Sequence, residues 1–172
     1  MITEPWSHPL RLAELVRAPR SLSLAPDAPT LKLIARELAL PELRSFTAEL
    51  DIKPWMDGIE IKGRWRADYQ QTCGITLEPI EVKQDEAFLL RCVPAGSPAA
   101  PTETEAVVDP DADDPPDVIE DGVVDLGRYL VEQFALAVDP FPRKPGAVFE
   151  PPVETRPISP FAVLAQLKPP NK

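Results

Sequence analysis

Apolar and polar residues alternate along two neighbouring stretches of the chain. In residues 44–53 the apolar set is Phe46, Ala48, Leu50 and Ile52, and the polar set is Thr47, Glu49, Asp51 and Lys53. In residues 59–69 the sets are Ile59, Ile61, Trp65 and Tyr69 against Glu60, Lys62, Arg64, Arg66 and Asp68. A period of two is typical of a strand with one buried face, and Asp57-Gly58 between the stretches favours a turn. The pattern predicts a long hairpin over about residues 44–69.

Further strands are predicted at residues 80–83 and 87–93, with weaker candidates at 10–12 and 22–24, all in one antiparallel sheet. Helical spacing of apolar residues appears in three places. Residues 28–38 begin with Pro29, Asp125 can cap a helix that ends before Pro140, and Ser159-Pro160 begins a short helix at 159–168. The predicted fold class is α+β, an antiparallel sheet packed with two or three helices.

Proline marks the connections, with 23 residues against 7 glycines. The prolines cluster at positions 94–116 and 140–160. The first cluster coincides with Ala, Asp and Glu and lacks aromatic residues, so it cannot bury enough apolar area to offset the entropy of ordering. We therefore predict a mobile, disordered acidic loop at 95–117 and a Pro-rich connector at 140–158. Both lie within one domain spanning residues 1–172.

The formal charge of −10 comes from 28 Asp and Glu against 18 Lys and Arg. Nine of the acids fall between Glu103 and Asp121, and removing them leaves 19 against 18, or −1. The predicted folded part is near neutral, so the acidic total does not argue against a role with RNA. The acidic loop is either a solvating linker or a nucleic-acid mimic that occupies a basic surface.

Several classes of protein are disfavoured. The longest apolar runs fall far short of the roughly 18 residues that a membrane helix needs. Met1–Leu10 does not have the pattern of a signal peptide, and two cysteines are too few for a disulfide scaffold. The expectation is a cytoplasmic protein without membrane spans.

Residues suited to catalysis are sparse. His8 is the only histidine, no glycine-rich phosphate loop is present, and a flexible acidic run cannot hold paired carboxylates in a fixed geometry. At Cys73 the residue three positions on is Thr76, so no Cys-x-x-Cys zinc pair is formed. Cys92 could come close to Cys73, but two thiols do not complete a metal site. We expect buried thiols, no metal, no cofactor and no catalytic residue.

Lys62, Arg64 and Arg66 project from one side of the second hairpin strand at about 7 Å intervals. A row of cations at this spacing suits contact with phosphates, which makes the three residues candidates for RNA binding. The alternative is a solvated sheet face on which Glu49 and Asp51 of the first strand neutralise the row.

The sequence resembles a known family in several blocks. They are Cys-Gly-Ile-Thr-Leu-Glu-Pro at 73–79, with motif residues Cys73, Leu77, Glu78 and Pro79, then Phe-Leu-Leu-Arg-Cys-Val-Pro at 88–94, Ile-Glu-Asp-Gly-Val-Val-Asp-Leu at 119–126, Tyr-Leu-Val-Glu-Gln-Phe at 129–134, and Ser-Pro-Phe-Ala-Val-Leu-Ala-Gln-Leu-Lys at 159–168. In order and spacing these blocks resemble the alphaproteobacterial form of the YceD family of large ribosomal RNA subunit accumulation proteins, over about residues 40–168. Many members have Cys-x-x-Cys where this chain has Cys73 and Thr76.

The resemblance implies ribosome biogenesis, with a role in the synthesis, processing or stability of the 23S ribosomal RNA. It supplies no catalytic residues. The leading hypothesis is a non-enzymatic factor that binds ribosomal RNA or a large-subunit ribosomal protein. Phe161, Leu164 and Leu167 of the terminal helix are candidates for partner docking, with packing on the chain's own sheet as the alternative. A protein-only adaptor that uses the acidic loop, and an RNA-processing enzyme, are the rival hypotheses.

Overall fold

The computed structural model describes residues 5–101 and 114–151 of the 172. The elements in these ranges are β1 (Pro9–Arg11), α1 (Leu12–Leu15), β2 (Arg20–Leu24), α2 (Ala28–Glu37), β3 (Glu42–Trp55), β4 (Gly58–Thr72), β5 (Pro79–Pro94), β6 (Asp117–Ile119), β7 (Val123–Asp125) and α3 (Leu126–Ala137). This composition confirms the predicted α+β class.

The main sheet has the order β2-β3-β4-β5-β6, and β1 pairs with β7 in a second, two-stranded sheet. Antiparallel pairing is confirmed for β2 to β5, and β6 adds a short parallel pair with Cys92–Pro94 of β5. The predicted hairpin is the centre of the sheet, where Ala48 pairs with Trp65 and Leu50 with Gly63. At its turn, a Cβ on Gly58 would stand 2.0 Å from the carbonyl oxygen of Cys92, so only glycine fits.

The predicted strands at 80–83 and 87–93 are one continuous strand. β5 runs through the polar residues Gln84, Asp85 and Glu86 because each pairs with a residue of β4. The alternation of apolar and polar residues is interrupted there, because three consecutive polar residues lack the period of two that predicts a strand. The sequence also gave no signal for α1, β6 or β7, which have three or four residues each.

The core lies between the inner face of the sheet and α3. Phe134 of α3 is fully buried and contacts Phe46, Trp65 and Tyr69, with ring centroids 5.1, 5.3 and 5.1 Å away respectively. The predicted apolar stripe on α3 is confirmed at Leu126 and Leu130, which are each 1% exposed. Burial of these aromatic and aliphatic side chains provides the main stabilisation of the sheet on the helix.

Pro29 in the first turn of α2 and Asp125 before α3 confirm the two predicted helix starts. Asp27 precedes α2 and accepts a hydrogen bond from the Thr30 N–H at 2.9 Å. Asp125 precedes α3 and accepts from the Gly127 and Arg128 N–H groups at 3.0 and 3.2 Å. Asp125 also accepts from the His8 N–H at 2.7 Å, which joins the N-terminal segment to α3.

The acidic loop at 95–117 lies partly outside the described residues. The first residues of this loop are described, and they contact the hairpin turn, because the buried Ser97 hydroxyl donates a hydrogen bond to the Asp57 carboxylate at 2.8 Å. Its last residue, Asp117, begins β6 and belongs to the sheet. Of the connector at 140–158, residues 140–151 are described and contain neither helix nor strand. The helix predicted at 159–168 lies outside the described residues.

Candidate functional site

Lys62, Arg64 and Arg66 lie side by side on the outer face of β4. Their side chains are 63%, 58% and 52% exposed. Trp65 and Tyr69 have the opposite orientation and are each 1% exposed, so they belong to the core and cannot stack on bases. The geometry therefore presents three neighbouring cations to solvent without an aromatic platform.

Each of these cations has a carboxylate beside it. Arg64 donates to both oxygens of Asp85, with Nε to Oδ1 at 2.6 Å and Nη2 to Oδ2 at 3.0 Å. Arg66 Nε donates to the same Asp85 at 3.1 Å. Lys62 Nζ lies 3.5 Å from a carboxylate oxygen of Glu60. The hydrogen bond from Arg64 is the main cause of a lowered pKa of the Asp85 carboxyl, and it also raises the pKa of Arg64.

The outer face of β3, β4 and β5 is electrically balanced. Its acids are Glu42, Glu49, Asp51, Glu60, Asp68, Glu81 and Asp85, and its bases are Arg44, Lys53, Lys62, Arg64, Arg66, Lys83 and Arg91, seven of each. The expected neutralisation from β3 is present at Glu49, which lies 3.6 Å from Arg66. The stronger partner is Asp85 of β5, which lies in the polar run where the local pattern predicts no strand.

Arg44 is a further cation on this face that sequence reasoning missed. Its guanidinium donates to Asp68 and Glu42 at 2.8 and 2.9 Å and also to Glu81. These carboxylates raise the pKa of Arg44 further, with Asp68 as the largest cause. A register shift between Leu43 and Ser45 sets the orientation of Arg44, and no sequence pattern signals this shift.

The motif residues Cys73, Leu77, Glu78 and Pro79 form the connection from β4 to β5. The Cys73 N–H donates to the Glu78 carbonyl and the Leu77 N–H to the Cys73 carbonyl, both at 2.9 Å. Leu77 has a φ of 58° and a side chain that is 76% exposed. The Glu78 carboxylate accepts from Lys144 Nζ at 2.8 Å. The motif thus attaches this turn to the segment that follows α3.

The Cys73 thiol is buried within the same connection. Its sulfur accepts from the backbone N–H groups of Thr76 and Lys144 at 3.4 and 3.3 Å. These bonds, those of Thr76 first, lower the pKa of Cys73 to about 6 against the opposing effect of burial. Thr76, which stands three positions after Cys73, thus supplies a backbone donor to the sulfur and no second thiol.

Cys92 does not come close to Cys73. Cys92 pairs with Ile59 at one end of β4, whereas Cys73 follows Thr72 at the other end, about 45 Å away along the strand. Cys92 is buried, which raises the pKa of its thiol to about 12. Among residues 5–101 and 114–151, no three His, Cys, Asp or Glu side chains are grouped to hold a metal ion.

Comparison of the sequence with protein-family models gives a match that includes the motif residues 73–79 and the strands and helix around them. The model of the YceD family, described as large ribosomal RNA subunit accumulation protein YceD, matches residues 61–168. This chain belongs to the YceD family. Membership links the chain to accumulation of the RNA of the large ribosomal subunit. No curated protein and no solved structure matches the chain.

This YceD-family chain also has an acidic groove beside β6 and α3. The groove has a volume of about 680 Å³ and is lined by Asp117, Glu120, Asp121, Asp125 and Glu132 together with Arg128 and Tyr129. A neighbouring groove of about 600 Å³ shares Asp117, Tyr129 and Glu132 and adds Asp114, Leu89 and Leu136. Asp114 and Asp117 belong to the loop predicted at 95–117, but Asp117 begins β6 and both residues line the second groove on the folded surface.

Of the remaining residues that the sequence analysis considered, His8 is described by the structure and the three residues of the terminal helix are not. His8 lies just before β1, where its carbonyl accepts from the Leu126 N–H at 3.0 Å and its N–H contacts Asp125, so its backbone supports the start of α3. Phe161, Leu164 and Leu167 lie outside the described residues. In the part of the YceD-family chain that is described, no helix has the length and apolar character needed to cross a membrane.

Proposed function

We propose that this chain is a non-enzymatic ribosome-biogenesis factor of the cytoplasm, which supports synthesis, processing or stability of the 23S ribosomal RNA by binding that RNA or a large-subunit ribosomal protein. Membership of the YceD family over residues 61–168 is the observation that carries this proposal. Its non-enzymatic character rests on the sparse catalytic chemistry of the sequence.

Direct RNA contact is proposed at Lys62, Arg64 and Arg66. Their ion pairs are solvent-exposed, and exposed pairs contribute little because water and salt screen them. A phosphate could therefore replace Asp85 as the partner of Arg64 without disturbing the fold. Contact with several phosphates along the row would release counterions, so affinity should fall steeply as salt rises.

The experiment measures binding of the purified chain to large-subunit ribosomal RNA fragments over a salt series. Substitution of Lys62, Arg64 and Arg66 by Glu should abolish binding. A matched variant, in which Arg11, Arg17 and Arg36 become Glu, makes the same charge change away from this face and should retain the salt slope. If the two variants bind equally, direct contact through the β4 row is wrong.

Asp85→Asn provides a gain-of-binding test of the same surface. The change removes the shared partner of Arg64 and Arg66 while keeping the side-chain size. If phosphates compete with Asp85, the variant should bind RNA more tightly and with a steeper salt dependence. Unchanged or weaker RNA affinity would contradict competition at this site.

The acidic groove favours a second candidate, a protein-only adaptor. Asp117, Glu120 and Asp121 lie in a folded groove rather than in a solvating linker, and their charge complements the basic segments of ribosomal proteins. Substitution of these three by Asn should weaken capture of a basic large-subunit protein and leave RNA binding unchanged. The opposite result, with only RNA binding altered, would contradict the adaptor.

Two further tests address the other parts of the proposal. Incubation of the chain with precursor ribosomal RNA, with and without divalent metal, should give no cleavage, and specific cleavage would show an RNA-processing enzyme.

Phe161→Ala, Leu164→Ala and Leu167→Ala should weaken partner binding at an unchanged melting temperature if these residues dock a partner. A lowered melting temperature would instead place them in the chain's own core.

A further inference from the structure

Among the described residues, no strand covers most of the outer edge of β5. β5 spans 16 residues, but β6 pairs only with Cys92–Pro94, and no strand within residues 5–101 and 114–151 pairs with that edge before Cys92. Pro115 and Pro116 lie just before β6 and carry no N–H, so they cannot extend the ladder. Asp114 and Pro115 line one groove together with Leu89 and Leu90, so the segment before β6 approaches β5 near these leucines. The stretch of β5 that remains without a neighbouring strand is therefore residues 79–89.

The backbone groups on this edge are oriented for pairing. The Ala95 N–H donates to the Ile119 carbonyl of β6 at 3.2 Å, so Ala95 presents its backbone to the outer edge. Backbone groups of a strand point alternately to its two neighbours, and β5 pairs with β4 without a register shift. Glu81, Lys83, Asp85 and Ala87 therefore point their N–H and C=O groups away from β4.

The side chains along this stretch are self-complementary in one antiparallel register. In this register Gln84 lies on the two-fold axis that relates the two copies. Lys83 of each copy then faces Asp85 of the other, and Ile80 of each copy faces Phe88 of the other. This register uses the whole open stretch at 79–89. Registers centred on Lys83 or on Asp85 place like charges directly opposite, and one centred on Val82 shortens the paired stretch to residues 79–85.

The surfaces beside the edge complement each other in the same register. Arg143 lies with Ile80 and Val82 in the wall of one cleft, and Asp114 and Glu132 share a groove with Leu89 and Leu90. Antiparallel pairing brings the residue-80 end of one copy beside the residue-88 end of the other. Arg143 of each copy then lies toward the acids of its neighbour.

Two exposed leucines also lie at this edge. Leu89 is 49% exposed and Leu136 of α3 is 81% exposed, and both line the groove that opens beside β5. An open strand edge with apolar side chains next to it is a site for pairing with another chain. A second copy covers these leucines and satisfies the backbone groups at once.

We propose that two copies of this chain associate through the open edge of β5, antiparallel and centred on Gln84, to form one continuous sheet across the dimer. This dimer extends the established family role and does not depend on which partner the chain binds. The outer faces of both sheets, with the Lys62, Arg64 and Arg66 rows, then lie on the same side of the assembly.

The first test is the solution mass of the full chain as a function of concentration. At high concentration light scattering should give about 38 kDa, twice the 19.0 kDa of one chain. Ala87→Pro removes an N–H that points away from β4, so it should preserve the sheet and raise the dimer dissociation constant about tenfold or more. Ala87→Ser retains the N–H and should dimerise like the parent.

The second test fixes the register. Gln84→Cys places two thiols at the axis in a non-hydrogen-bonded pair, where side chains are close enough for a disulfide, and should form a covalent dimer under mild oxidation. Glu86→Cys and the parent chain should not. Circular dichroism of each variant checks the fold.

Three results would overturn the proposal. They are a single-chain mass at every concentration, equal dimerisation of Ala87→Pro and Ala87→Ser, and cross-linking of Glu86→Cys in preference to Gln84→Cys. Hydrogen exchange adds a fourth, because protection of the Lys83, Asp85 and Ala87 amides should disappear on dilution. Protection that persists in the monomer would place another segment of this chain on the edge and contradict a second copy there.

Discussion

The two faces of β4 differ in what holds their side chains. On the inner face Ile61, Trp65 and Tyr69 are each 1% exposed, and Trp65 packs against Phe46 and Phe134 with ring centroids 5.9 and 5.3 Å away. On the outer face Arg64 and its neighbours are more than half exposed and are held by ion pairs. The inner contacts can form in only one packed arrangement, whereas the outer pairs can exchange partners in water.

Because of this difference, the inner face of β4 determines the stability of the fold, whereas the outer face is available to bind a partner. Full burial of a large apolar side chain contributes about 1.5–3 kcal/mol, while exposed ion pairs contribute little. The outer face can therefore change its charges, or accept a charged partner, with little effect on folding. The predictions below test this separation, beginning with the largest expected effect.

Trp65→Ala should have the largest effect on stability. The change removes a fully buried ring at the centre of the aromatic cluster and leaves a cavity, which should cost about 3–5 kcal/mol. Denaturant unfolding measures the loss. Arg64→Ala, at the adjacent position on the other face, is the control and should unfold at the parent midpoint. Equal losses for the two variants would contradict the separation of the faces.

Gly63→Val should have the next largest effect. A Cβ at this position on the inner face would stand 2.2 Å from the Phe88 ring and 2.9 Å from a methyl of Leu50. Overpacking of this kind should cost about 1–3 kcal/mol. Gly74→Val is the matched control, because a Cβ there meets nothing closer than 3.8 Å. A Gly63→Val variant as stable as the control would show that Phe88 moves away freely.

Cys73, which continues the inner side of β4 beyond its end, should make stability depend on pH. Its folded pKa is about 6, because Thr76 and Lys144 donate to the sulfur, and the pKa of an unfolded thiol is about 8.5. Between these values the unfolded chain holds a proton that the folded chain has released. Stability should therefore rise with pH across this window and be lost as pH falls through about 6.

The measurement compares denaturant midpoints of the parent and Cys73→Ser over a pH series. The difference between the two midpoints should change across the window between the two pKa values and stay constant above and below it. Cys92→Ser is the control, since burial holds the Cys92 pKa near 12 and its thiol stays protonated throughout. A pH dependence that survives Cys73→Ser would assign the effect to another group.

Asp85 on the outer face should show the smallest effect. The hydrogen bond from Arg64 lowers its pKa, so the stabilisation that this pair provides is present above the ordinary Asp pKa of about 3.9 and is lost as pH falls through the folded value. Arg64→Ala should move the Asp85 pKa upward, as followed by NMR of the carboxyl carbon. No movement would mean that Arg66 alone holds this carboxylate.

Sequence patterns predicted the parts of the fold that depend on local chemistry. Strict alternation in residues 44–53 and 59–69 predicted the hairpin and assigned Lys62, Arg64 and Arg66 to the face opposite Trp65. Pro29 marked the start of α2 and Asp125 the start of α3, because both signals act within the first turn of a helix. The blocks around Cys73 and Leu126 pointed to the YceD family, and the family match over 61–168 confirmed it.

The patterns failed where neighbours come from distant parts of the chain. β5 was predicted as two strands because Gln84, Asp85 and Glu86 are polar, yet pairing with β4 keeps them extended. Asp85 then becomes the partner of Arg64, 21 residues away in sequence. The open edge of β5 likewise depends on β6 being only three residues long.

The amino-acid order therefore determined which side of each strand is buried, where the two main helices begin and which family the chain belongs to, because these depend on period, capping and motif. The tertiary structure alone decided that Cys73 and Cys92 lie at opposite ends of one hairpin, that the outer face is electrically balanced, and that the acids of β6 and α3 form a groove. Each of these depends on the register between β4, β5 and β6, which is a long-range property that no local pattern contains.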